Sequence, residues 1–149
     1  MQAVDQDQLM SEALDMAREA LAAGDHPFGS VVVTASGTVA ERNRVVSTSD
    51  PTAHSEVMAL RTAAARWGID SLRGALLLTT FEPCPMCFGA ILEAGVGALV
   101  IGARRTVGEA PLGDYTVEAL LGLLGRAGDI TVAQDVLAAP IAEFYAAAG

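Results

Sequence analysis

Apolar positions along this chain alternate between two periods, one suited to helices and one to strands. Residues 5–23 place Leu9, Ala13, Met16, Ala17 and Ala20 on one side at helical spacing and stop at Gly24, which predicts an amphipathic helix. Residues 29–33 and 38–43 read as two strands joined through the Ser36-Gly37 turn. Asp50-Pro51 opens a second helix, with Val57, Leu60, Ala64 and Trp67 along one face and Gly68 at its end. Residues 74–80 form an apolar, β-rich run, Cys84 begins a third helix reaching Glu93, and residues 98–101 read as a buried strand. Residues 104–114 hold Gly108, Pro111 and Gly113 and predict a loop. A helix over 116–124, a short strand over 130–133 and a last helix over 137–148, with Pro140 in its first turn, complete the pattern. Strands alternating with helices predict an α/β fold, a three-layer α/β/α sandwich whose first two strands pair as an antiparallel hairpin. No repeat, linker or shift in composition interrupts it, so residues 1–149 are expected to form a single domain.

Composition narrows the function classes. With 52% hydrophobic and 18% charged residues the chain is not of the disordered class. Its start is acidic and polar rather than signal-like, and no apolar run approaches a membrane span, so a cytoplasmic protein without membrane contact is expected. The net charge is −9, and all nine cationic residues are arginines. Only Arg42/Arg44 and Arg104/Arg105 stand close in sequence, and Arg126 is the one basic residue after Tyr115. Nucleic-acid binders neutralise phosphates with clustered Lys and Arg, so nucleic acid is not the expected partner.

The chemistry concentrates in two short stretches. Thr52-Ala53-His54-Ser55-Glu56 carries a His-x-Glu, and Glu82-Pro83-Cys84-Pro85-Met86-Cys87 carries a Pro-Cys-x-x-Cys holding the only two cysteines. Residues two apart on a helix point about 200° apart, so His54 and Glu56 cannot both ligate one ion from the same face. Pro85 lacks an N–H and pins a helix start at Cys84, and Cys84 and Cys87 at i, i+3 then share a face where the helix dipole favours thiolates. Three readings follow. An open zinc site on one His and two Cys leaves its fourth position to water. A closed structural zinc needs a fourth ligand, for which only His26 remains. A redox Cys pair leaves the His-x-Glu without a role. The open site alone employs all four residues.

At these residues the chain resembles the cytidine and nucleobase deaminase superfamily, and within it the branch of guanine, guanosine, fungal-type cytosine and tRNA adenosine deaminases. Residues 50–59 and 82–91 carry the resemblance together with His26-Pro27-Phe28-Gly29-Ser30-Val31, within a span of roughly residues 9–105. It implies a central mixed five-stranded sheet flanked by helices, one Zn²⁺ on His54, Cys84 and Cys87, and Glu56 as proton shuttle. It implies further that Asn43 hydrogen-bonds the substrate ring, that Phe28 walls the base, and that Asp114 beside Tyr115 belongs to an acidic loop near the substrate. Tyr145 either covers the pocket or packs on a helix face. A homodimer is also implied. The segment Gly102-Ala103-Arg104-Arg105-Thr106-Val107-Gly108 departs from the Gly-Ala-Arg-Asp-x-Lys loop of tRNA adenosine deaminases, and the last helix carries Glu143 but no Lys or Arg. The implied function is therefore hydrolytic deamination of a free base or nucleoside, guanine-like or cytosine-like, with adenosine-to-inosine editing of tRNA as the alternative. A non-catalytic zinc module would leave Glu56 without a purpose.

Overall fold

The computed structural model describes residues 4–148. Helix α1 (Gln6–Ala22) leads into a hairpin of β1 (Gly29–Thr34) and β2 (Gly37–Arg42), followed by a single helical turn, α2 (Val45–Thr48). After it come α3 (Ser55–Trp67), a 3₁₀ turn (Ile69–Leu72), β3 (Leu76–Phe81), α4 (Pro85–Ala94) and β4 (Ala98–Ala103). The remainder is α5 (Val117–Leu123), β5 (Thr131–Gln134) and α6 (Ala138–Ala148). The strands form one mixed five-stranded sheet in the order β2-β1-β3-β4-β5. β1 pairs antiparallel with both β2 and β3, and β3, β4 and β5 run parallel.

Strand alternation divides the core in two. Val32, Leu77, Leu99 and Ile101 face a cluster built with α3, α4 and α5. Val31, Val33, Leu76, Leu78 and Val100 face the other way, against Met10, Ala13 and Leu14 of α1 and Ile141 of α6. The expected α/β/α sandwich is therefore realised. Gly29 sets how closely α1 approaches: a Cβ there would lie 2.0 Å from the Ala13 carbonyl oxygen, so helix backbone rests directly on strand backbone. Among the described residues, no helix is long and apolar enough to cross a membrane.

Two expectations for the second helix need correction. It begins at Ser55 rather than at Asp50-Pro51, because Asp50 Oδ1 accepts hydrogen bonds from the Thr52 amide (2.8 Å) and hydroxyl (2.7 Å) and closes a turn there. His54 is extended (φ −69°, ψ 152°) and stands just outside the helix, so the 200° argument does not govern it. The buried face is Ser55, Glu56, Ala59, Leu60 and Ala63, rotated from the expected Val57, Leu60, Ala64 and Trp67. A purely hydrophobic reading discounts the small and polar residues that occupy that face. The one-turn α2 and the 3₁₀ turn are too short to carry a periodic signal and were not anticipated.

Candidate metal centre and substrate recess

Two helix starts converge on one point. β3 ends at Phe81, and Glu82-Pro83 carries the chain to Cys84, an extended residue (φ −68°, ψ 169°) at the N-cap of α4 with Pro85 behind it. His54 holds the same position before α3, and neither side chain caps its own helix. They turn toward each other instead. His54 Nδ1 lies 3.3 Å from Cys87 Sγ and 3.6 Å from Cys84 Sγ, and the three ligand atoms all lie within 4.8 Å of one another. A tetrahedral zinc with metal–sulfur bonds of about 2.3 Å and metal–nitrogen bonds of about 2.05 Å demands sulfur–nitrogen separations of about 3.6 Å. The donor set and its spacing fit that ion. Hydrogen bonding from the Cys87 thiol, aided by His54, outweighs burial and pulls the Cys84 thiol down to about 4. The same bond, together with burial, pushes Cys87 up. A metal takes both sulfurs as thiolates, so its binding displaces the proton they share. His26 is exposed and outside this group, so no fourth protein ligand joins it among the described residues.

Glu56 reaches the same recess without joining the ligand group. Its side chain is buried, and burial drives its carboxyl above the ordinary range, against hydrogen bonds from its own amide and from Ser55. Ser55 Oγ donates to Glu56 Oε1 at 2.9 Å and lies 2.8 Å from Ser30 Oγ, which in turn donates to Thr79 Oγ1 at 3.1 Å. This chain of hydroxyls fastens the carboxylate to the middle of the sheet. The recess is small, about 50 Å³, whereas a far larger cavity, about 660 Å³, lies away from it along the outer sides of α3 and α4. The chemistry belongs to the small one, because that is where ligand atoms and carboxylate meet.

The remaining sequence expectations separate here. Phe28 lines the recess, backed by Phe81 (ring centroids 5.6 Å apart) and Tyr145 (6.0 Å). The Tyr145 hydroxyl is bonded to the Pro27 carbonyl (2.8 Å) and Thr80 Oγ1 (2.7 Å), so this ring supports Phe28 from behind rather than covering the opening. Asn43 is buried, and its Oδ1 accepts from the Val45 amide at 3.0 Å. That bond fixes the amide orientation and leaves Nδ2 as the group free to donate. Asp114 does not line the recess; with Tyr115, Ala119 and Leu120 it lines an open groove beside α5.

The family model described as the cytidine and deoxycytidylate deaminase zinc-binding region matches residues 3–103. The chain belongs to this family. A tRNA(Ile)-lysidine synthase of Deinococcus deserti is 48% identical to this deaminase-family chain over 101 residues, covering 66% of it and 19% of the relative. The tRNA-specific adenosine deaminase of Haemophilus influenzae is 41% identical over 99 residues, 65% of the chain and 57% of the relative. The chain thus spans less than two thirds of the length of each. The solved guanine deaminase of Nitrosomonas europaea superposes with a TM-score of 0.79 at 30% identity, over 99% of this chain and 86% of that one.

Several residues of the deaminase-family site escaped sequence reasoning. Glu82, 1% exposed, accepts from the Arg105 amide and the Val117 amide, each at 3.0 Å, and pairs with Arg104 Nε at 3.2 Å. It ties the end of β3 to the loop after β4 and to the start of α5. Arg105 places its guanidinium carbon 5.1 Å from the Phe81 ring centroid, on the rim of the recess. Polar residues inside apolar strand runs, Ser30 and Thr79, and the Arg104-Arg105 doublet were the signals available to find them.

Proposed function

We propose that this chain removes the exocyclic amine hydrolytically from a free nucleobase or nucleoside, guanine-like or cytosine-like, and that residues 1–149 act as one deaminase domain. The observation that carries the reading is Glu56, a buried carboxyl in the recess of a His/Cys/Cys ligand group to which it does not itself belong. Zinc, when bound to His54, Cys84 and Cys87, supplies the Lewis acidity that makes a water usable as nucleophile near neutral pH. Glu56 would carry one proton of that water to the ring nitrogen, then carry the remaining hydroxyl proton to the amine, which leaves as ammonia while the ring carbon becomes a carbonyl. A carboxyl raised by burial suits a group that must both accept and donate. Asn43 Nδ2 holds a ring acceptor, and Phe28, stiffened by Phe81 and Tyr145, forms an apolar wall. Asp114 is assigned to the outer approach rather than to the ring.

The test is ammonia release from a panel of free bases and nucleosides by the zinc-loaded protein and its Glu56→Gln variant. General acid–base catalysis is worth about 10²–10⁴-fold, so the variant retains one zinc per chain and loses at least that much turnover. Near-normal activity in the variant refutes the role of Glu56. The second reading, deamination of adenosine in tRNA, is favoured by the 41% identity to the Haemophilus influenzae enzyme. The charge of −9 and the scarcity of cations after Tyr115 weigh against it, because polyanion affinity is carried by released counterions. Efficient editing of tRNA with every free base and nucleoside inert would reverse the preference. A cytoplasmic homodimer belongs to the same proposal. The 660 Å³ groove offers apolar Val57, Leu60 and Ala90 together with Arg61 and Glu93, a mixture a second copy can match. Light scattering at micromolar concentration measures it.

A further inference from the structure

Seven of the nine arginines lie within ion-pair distance of a carboxylate among the described residues. The two that do not are Arg66, which is exposed, and Arg105, which is half-buried at the site. The Arg105 guanidinium rests over Phe81, and its Nε is the one buried side-chain polar atom without a hydrogen-bond partner among the described residues. A charged donor left unpaired away from water is costly, and an acceptor arriving with a ligand removes that cost. Its position makes such a ligand specific. Arg105 and Phe81 border both the recess at the ligand group, about 50 Å³, and an adjoining cavity of about 170 Å³ under Pro111 and Tyr115. A cavity of about 150 Å³ accommodates a six-membered ring, whereas 50 Å³ does not. A heterocycle whose amine-bearing carbon enters the recess therefore extends past Arg105, and its far edge meets the guanidinium.

We propose that Arg105 is a specificity-determining residue, donating from its fork to an oxo group on the ring edge remote from the amine that is removed. This rests on the deaminase reading and narrows it to oxo-heterocycles with a 2-amino-6-oxopurine edge. An arginine fork matches the paired oxygen and ring-nitrogen acceptors of such an edge, which an adenine edge lacks. A neutral oxo group suits the surroundings better than a phosphate or carboxylate. Glu109 lines the same cavity, and the chain carries −9, so an anion would enter against like charge. Glu82 is the positioning residue: its carboxylate holds the Arg105 amide and so fixes where the side chain starts.

The experiment uses guanine and 2-aminopurine, which carry the same amine on the same ring and differ at the 6-oxo position, with guanosine monophosphate as the anionic probe. Equilibrium binding is measured on the zinc-loaded Glu56→Gln protein, with Arg105 intact and as Arg105→Met and Arg105→Lys. Reading affinity separates this proposal from the question of turnover. Guanine affinity should fall about 10- to 100-fold in Arg105→Met, while 2-aminopurine changes less than about threefold and so reports an intact site. Arg105→Lys keeps the charge but not the fork and should lose most of the discrimination. Equal losses for both bases, no guanine binding with Arg105 intact, or an Arg105-dependent preference for the monophosphate would each overturn the proposal.

Discussion

Replacing Glu82 by Gln exchanges one oxygen for an NH₂ group on a side chain that lies beside the candidate metal ligands, and the consequences can be worked out bond by bond. The carboxylate has two oxygens and three protein donors: Oε1 serves the Arg105 amide and Arg104 Nε, and Oε2 serves the Val117 amide. Glutamine offers one oxygen. If that oxygen keeps the Oε1 position, its NH₂ group faces the Val117 N–H, and a buried donor is left against a donor, which costs about 1–3 kcal/mol. Arg104 keeps Glu118 as partner but loses its bond to a buried charge, a further loss of about 1 kcal/mol at a partly exposed site. About 3 kcal/mol in all corresponds to a fall in Tm of roughly 6–12 °C for a chain of this size. Calorimetric melting of the zinc-loaded protein reads this directly. Because the Arg105 amide is one of the released groups when the glutamine flips, guanine affinity should fall with stability. A Tm within about 2 °C of the parent would show that Glu82 is not the clasp described above.

Two further outcomes follow from the site and its surroundings. Cys87→Ala should abolish stoichiometric zinc as read by elemental analysis, since three ligands are the minimum the group supplies; full zinc retention would refute the ligand assignment. Asp25 is desolvated, which opposes ionisation, yet bonds from the Ser47 amide and hydroxyl (both 2.7 Å) and from Arg42 (2.7 Å) prevail and hold it at about 2. Its pKa is depressed relative to an unfolded value of about 3.9. The stability it contributes over Asp25→Asn is therefore complete above about pH 4 and lost as pH falls toward 2, which urea melts across that range would record. A difference that stays flat between pH 5 and 2 would contradict it.

The fold was largely legible because its elements are periodic. The α1 stripe, the hairpin around Ser36-Gly37 and the apolar runs of β3 and β4 each announce themselves locally. The candidate ligand group was legible for a different reason: few residue types bind zinc, and this chain owns only four cysteines and histidines together. What escaped were arrangements made by tertiary structure. Nothing in Asp50-Pro51 says that Thr52 will close a turn on it and delay the helix. Arg105 was visible as a letter beside Arg104, yet which of the two is paired depends on where Glu82 and Glu118 sit after folding. Asp114 illustrates the converse, a plausible acidic residue whose backbone leads it to a different groove.

The two helices that carry the candidate ligands lack a feature that α1 and α5 possess. Asp5 caps α1 through the Gln8 amide and Thr116 caps α5 through the Ala119 amide, whereas α3 and α4 begin at His54 and Cys84 with no side-chain cap. A Ser, Thr or Asp at such a position typically stabilises a helix by about 1 kcal/mol. Both vacancies are occupied by residues selected for something else. Anyone raising the heat tolerance of this protein must leave these two uncapped helix starts alone and search at other termini. Stripping the ion should then be felt first as fraying of those two opening turns, visible as amide exchange at residues 55–58 and 86–88 while α1 stays protected.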